Sequence, residues 1–192
     1  MKHKKRAGTK DPFVLWILLG IPILFIAASP LHFLYGWTGD SPAVGLFAPV
    51  NESPWEHLKM TFWPILIWWI VGYLAFGAKK EGAFPRAAVS CAVCALTCNL
   101  FIVAFFYICT GAFGVESLLL DILSVLLGLA VGVLLAVHVT KHTSPGAFAA
   151  FLAVVLLLLM AGSFIYFTFA PPHLPIFRDP PSGSYGIYRQ RG

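Results

Sequence analysis

Charge is what this chain has least of. Only 11% of its 192 residues are Asp, Glu, Lys or Arg and 59% are hydrophobic, whereas soluble domains carry about 25% charged residues. So few charges cannot coat a globule of this size, which excludes an ordinary soluble domain and makes lipid the solvent for much of the surface. Cysteine is confined to one place: all four lie between positions 91 and 109, inside an apolar stretch. No disulfide can therefore staple a loop or tail, and the redox compartment is not legible from them. A basic stripe is also missing. The formal charge of +5 comes from Lys and Arg at the ends of apolar runs, so no nucleic-acid partner is expected. No internal repeat is present, which removes the inverted-repeat plan of many secondary transporters.

What remains is apolar sequence in long runs. Five stretches, 13–36, 55–78, 87–110, 117–140 and 147–170, each reach the roughly 20 residues a helix needs to cross about 30 Å of hydrocarbon. Open backbone cannot face lipid, so all five should be helices, giving an all-α integral membrane protein. The domain plan is a basic N-terminus (1–12), a five-helix transmembrane unit (13–170) with a loop at 37–53, and a Pro-rich tail (171–192). The basic N-terminal region followed by apolar sequence resembles a signal peptide, with Ala27-Ala28-Ser29 at the place of a cleavage site. Pro30 would follow that cut and apolar character continues to Trp37, so the first span is expected to stay uncleaved. Pro22 and Pro64 fall inside spans and should kink them.

Orientation follows from Lys and Arg. With the N-terminus in the cytoplasm, the inner segments hold Lys2, Lys4, Lys5, Arg6, Lys10, Lys79, Lys80, Arg86 and Lys141. The outer ones hold Lys59, Arg178, Arg189 and Arg191. This positive-inside bias predicts a multi-pass protein of the cell membrane, with loop 37–53 and the tail outside. Trp37 and Trp55 would then sit at the outer interface.

Two helix signals are specific. Ser53-Pro54-Trp55-Glu56 reads as a capping box with Pro at the first helical position. Ser124, Gly128, Gly132 and Ala136 recur at every fourth residue, a stripe for close helix packing, and Ala88, Cys91, Ala95 and Asn99 offer a partner face on the third span.

Once the spans are oriented, the titratable residues sort by side. His32, Glu52, Glu56, His57, Asp121, His173 and Asp179 all fall at or near the outer ends of the helices. Imidazoles and a carboxylate at similar depth are the ligand types of a zinc site, with His32, His57, Asp121 and His173 as candidate ligands and Glu52 as candidate base. A simpler account exists for several of them. Glu56 is explained by the capping box, and Asp121 at a helix N-terminus by the dipole. His138 and His142 also have ligand spacing, but they sit at a helix C-terminus, where basic groups are favoured anyway. Cys91, Cys94 and Cys98 are expected to pack as small buried residues. Asn99 should hydrogen-bond across to a neighbouring helix. The tail carries Leu174, Ile176, Phe177, Tyr185, Ile187 and Tyr188, too many apolar residues for a solvated linker, so it should fold back over the helix ends.

Two stretches carry a resemblance. The run from His32 to Trp37, then Gly45 to Lys59 (GLFAPVNESPWEHLK), and in the tail Pro172-His173-Leu174-Pro175, Phe177-Arg178-Asp179-Pro180 and Tyr185-Gly186-Ile187 resemble the signature of a family of small bacterial multi-spanning membrane proteins of unknown function. That resemblance implies the spans and draws attention to the outer segments, without implying a reaction. The leading functional expectation is a polar outer face that binds a protein partner or lipid headgroup. The alternative is a zinc-dependent membrane hydrolase or transferase acting at the outer leaflet, on a lipid for example. A small permease, with Asn99 and Asp121 lining the path, is the third.

Overall fold

In the computed structural model, residues 11–78 and 81–187 are described. Lys2, Lys4, Lys5, Arg6, Lys10, Lys79, Lys80, Tyr188, Arg189 and Arg191 lie outside the described residues. Five helices are long and apolar enough to cross a membrane: α1 (Pro12–Trp37), α2 (Pro54–Gly77), α3 (Ala83–Ala112), α4 (Leu118–His142) and α5 (Ala147–Phe169). This is a multi-pass membrane protein. The starts of α1 and α2 share a local chemistry. Asp11 accepts from the Phe13 amide at 3.0 Å ahead of Pro12, and Ser53 accepts from the Glu56 amide at 3.3 Å ahead of Pro54. In each, a side-chain oxygen satisfies an orphan N–H while Pro fills a position that has no use for one. Helix α2 is not uniform: Pro54–His57 forms one turn, Lys59–Gly72 the α-helical body and Tyr73–Gly77 a wider π-type turn.

Helices α3 and α4 share the most extensive contact in the bundle. Ser124, Gly128, Gly132 and Ala136 are all buried along α4, and Ala88, Cys91, Ala95 and Asn99 along α3. A Cβ added to Gly132 would stand 2.8 Å from the Cys94 carbonyl oxygen, so the backbones approach as only glycine allows. Thr61 of α2 donates its hydroxyl to the Asn99 side-chain oxygen of α3 at 2.7 Å, the interhelical bond expected of that amide. Helices α1 and α2 are joined by a device that no motif announced. Trp16 and Trp68 stack at 3.9 Å, 11° from parallel. Each indole N–H donates to the other residue's carbonyl, at 2.9 and 3.1 Å. Both polar edges are thus satisfied where lipid offers no partner.

The loop after α1 and the tail after α5 meet at one end of the bundle, called here the loop end. Asn51 Nδ2 donates to the Gly186 carbonyl at 3.0 Å and the Ile187 amide to the Thr168 carbonyl at 3.2 Å. Phe177 is buried against Trp55 and Phe167. The tail therefore folds back over the helix ends, and Trp55 lies beneath it rather than in an open aromatic belt. Gly186 has φ +62°, and a Cβ there would lie 2.8 Å from the Thr168 carbonyl oxygen, so glycine is required for the tail to pass this close.

Candidate metal centre at the loop end

The site is built on a rigid base. Lys59 is completely buried, and its ammonium donates to the Glu56 carboxylate (2.5 Å), the Thr168 hydroxyl (2.5 Å) and the Gly45 carbonyl (2.8 Å). An ammonium has three N–H donors, and all three are used. Glu56, 2% exposed, also accepts from the Val50 amide at 3.1 Å. One buried ion pair thus ties the loop, α2 and α5 together. This corrects the capping-box expectation for Glu56. Ser53 does cap the helix, but its own amide donates to Asn51 Oδ1 at 2.9 Å, so the Glu56 carboxylate is released to hold Lys59. Lys59, one of the charges at the loop end, is fully buried there.

Glu52 sits just before this base and is pinned from the tail side. Its amide donates to Asp179 Oδ1 at 2.9 Å. Asp179 is buried and accepts through its other oxygen from the amide and hydroxyl of Ser182. With Asn51 and Ser53 also held, the backbone at 51–53 has little freedom, and the Glu52 side chain is directed at two imidazoles. Its Oε2 lies 3.3 Å from His57 Nε2 and its Oε1 3.9 Å from His32 Nε2. The two rings are 5.2 Å apart, tilted by 32°.

His32, Glu52 and His57 each offer one ligand atom, and the three atoms lie within 4.8 Å of one another. A tetrahedral zinc with bonds of about 2.0–2.2 Å sets its ligand atoms roughly 3.3 Å apart. The His57–Glu52 separation already equals that, and the widest separation in the set exceeds it by about 1.5 Å, a gap that side-chain torsions can close. The three residues come from α1, the loop and α2, so the centre exists only in the folded chain. The groups are half-buried: His32, His57 and Glu52 side chains are 26%, 29% and 54% exposed.

Protonation chemistry makes the centre informative. His57 Nδ1 is 3.0 Å from the Ser53 carbonyl, an acceptor, so that nitrogen carries the proton. A neutral His57 would then aim the Nε2 lone pair at a carboxylate oxygen, which repels it. A positive centre belongs between them, either a second proton or a metal ion. The His57 hydrogen bond outweighs partial burial and holds the Glu52 carboxyl below its usual range. On His32, Nδ1 is buried with no hydrogen-bond partner among the described residues, a further nitrogen whose lone pair or proton the fold leaves unsatisfied.

The remaining candidates are placed differently. Asp121 is exposed in the first turn of α4, on the same face that Gly128 and Gly132 bury further along, because burial on that face begins only at Ser124. It is within electrostatic reach of His57 but is not among the converging groups. His173 is exposed, with its ring against Tyr185 at 4.6 Å, since the Pro171-Pro172 step carries it into the tail. Asp179 and Glu56 are committed to hydrogen bonds that hold backbone and Lys59. Glu52, expected as a base beside the ligands, stands among the ligand atoms instead. His138 and His142 pair at 4.6 Å at the far end of α4, with no carboxylate grouped with them among the described residues.

No curated protein and no solved structure matches the chain. A family model described as Family of unknown function (DUF6512) does match, over residues 2–187. That span takes in all five helices, the loop that carries Glu52 and the tail that pins it. The chain belongs to this family of unknown function.

Proposed function

We propose that the protein holds one divalent transition metal, zinc by ligand type, through His32, Glu52 and His57, and uses it as a membrane hydrolase or transferase. The observation that carries this reading is the convergence of three ligand atoms from three separate elements. Two imidazoles and one carboxylate leave the fourth position of a tetrahedral ion to water, the pattern of catalytic rather than closed structural zinc sites. The Nδ1 bond from His57 to Ser53 is the kind of support that fixes a ligand's tautomer. Water on such an ion ionises near neutral pH and becomes a nucleophile for an ester, amide or phosphoester. Asp121 adds negative charge beside His57. The distribution of Lys and Arg supports an N-terminus in the cytoplasm and a centre at the outer leaflet of the cell membrane.

A second reading has its own support. If a proton rather than a metal bridges Glu52 and His57, the same groups make a charged polar face for a protein partner or lipid headgroup. A permease draws less support, since Asn99 is buried and joined to Thr61 rather than lining a path.

Metal content of the full chain in detergent, wild type beside His57→Ala, separates these readings. Near-stoichiometric zinc that is lost in the variant supports the metalloenzyme. Protein purified without chelator that holds no metal, and takes up none when zinc is added, overturns it in favour of the proton-bridged face.

A further inference from the structure

Beside the metal centre lies an open cleft of about 820 Å³ between the last turns of α1 and the loop. This is the size of pocket that takes a ligand of small-molecule or headgroup dimensions. His32 and Glu52 form part of its wall, so the cleft and the centre share residues. No Lys or Arg lines it among the described residues. Lys59 is nearby in sequence, but its three donors are already engaged.

Towards the C-terminal end of α1, past His32, the cleft wall changes character. Asp40, Tyr35 and Trp37 line it. Asp40 is held at φ +57° with its amide on the Tyr35 carbonyl at 3.1 Å, a left-handed conformation that an L residue seldom adopts and that places its carboxylate on the cleft rim. Carboxylate and aromatic faces together attract an ammonium group, above all a quaternary one. An anion alone would find the metal at one end and bare carboxylate at the other. A cation alone would meet the metal. A group that carries both charges fits both ends.

The cleft also borders the surface that faces lipid. Phe33 and Trp37, both exposed, stack at 5.7 Å and 24° on the outside of α1, and both line the cleft. Aromatic rings at a helix end occupy the headgroup level of a bilayer. We infer that the cleft binds the zwitterionic headgroup of a membrane phospholipid, its phosphate at the His32–Glu52–His57 centre and its ammonium against Asp40 and Trp37. This rests on the metal reading above and gives it a substrate class.

The test uses the zinc-loaded full chain in maltoside micelles and three probes with one alkyl chain: dodecylphosphocholine, dodecyl methyl phosphate (a diester with the same single negative charge) and dodecyltrimethylammonium. Titration followed by tryptophan fluorescence should show dodecylphosphocholine binding about tenfold tighter than either singly charged probe, the size of a desolvated cation–aromatic contact. Asp40→Asn should lower dodecylphosphocholine binding to near that of dodecyl methyl phosphate while zinc content stays at the wild-type level, and His57→Ala should remove both zinc and phosphate binding. Equal binding of all three probes by zinc-loaded protein overturns the headgroup inference and leaves the metal reading standing. Absence of zinc overturns both. Soluble phosphocholine binding as tightly as its dodecyl form overturns the lipid as source and makes the ligand a free solute.

Discussion

Glu52 and Glu56 stand four residues apart at the same end of the bundle and do opposite work. Glu56 is buried, meets Lys59 at 2.5 Å and also receives the Val50 amide. Lys59 in turn has no donor left over. Glu52 is 54% exposed and faces two imidazoles, one of which is bonded elsewhere through its other nitrogen. The first carboxylate is saturated by the fold and holds it together. The second is placed by the fold and held open. A carboxylate–cation pair is therefore not informative about function until its remaining hydrogen-bond capacity is counted.

Changes at the two glutamates should separate along that line. Lys59→Ala leaves Glu56 as an uncompensated buried charge, and thermal unfolding in detergent should show a loss of about 3–5 kcal/mol. Replacing the pair together, Lys59→Met with Glu56→Leu, should recover most of it; a double variant as unstable as the single one would break the comparison. Glu52→Gln should leave unfolding within about 0.5 kcal/mol of wild type, as exposed positions do. Its zinc affinity should fall by more than the roughly 10–100-fold that loss of a ligand's supporting group costs.

Asp179 belongs between these extremes, since it acts on Glu52 through the backbone, accepting from its amide. Asp179→Ala should weaken zinc binding by about 10–100-fold in competition with a chelator, and Asp179→Asn, which keeps an acceptor for the Glu52 amide, should recover part of it. A smaller effect is expected with pH. The folded Glu52 carboxyl titrates below the ordinary value of 4.5. Its contribution is therefore fully present above 4.5 and is lost as pH falls through the lower folded value. Because the group is more than half exposed, solvent screens the effect. A shallow loss of thermal stability at acid pH should appear in wild type and be reduced in Glu52→Gln. The smallest change is expected from His138→Ala with His142→Ala, which should leave zinc content as it was. Loss of zinc there would move the centre to the other end of the molecule.

The helices were legible because length and apolar character alone decide them in lipid, and the observed ends fall within a few residues of those expected apart from the earlier start of α3. The α4 stripe was legible because small residues at every fourth position leave few alternatives. The centre was legible only as a depth. His32, Glu52 and His57 could be placed near one end by counting along the spans, but their convergence depends on how Asn51, Asp179 and Ser53 fold the loop, over sequence separations that no spacing rule covers. His173 had the same depth and was carried elsewhere by the proline step. The burial of Lys59 was not legible, because a lysine near a helix end ordinarily reaches for the interface. Glu56 is three residues away, an ordinary helical pair, but the other two acceptors, Gly45 and Thr168, are 14 and 109 residues away, out of reach of any local pattern.

The three-way grip of Lys59 also bears on the order in which the protein becomes competent during synthesis. One of its acceptors, Thr168, lies at the end of the last helix, and the tail that pins Glu52 follows it. His32, Glu52 and His57 are all made within the first third of the chain, yet the grip that holds their loop in place is complete only once α5 has joined the bundle. A nascent chain halted before that point would display His32, Glu52 and His57 without the grip that holds their loop, so the metal binding proposed above would wait until insertion is finished.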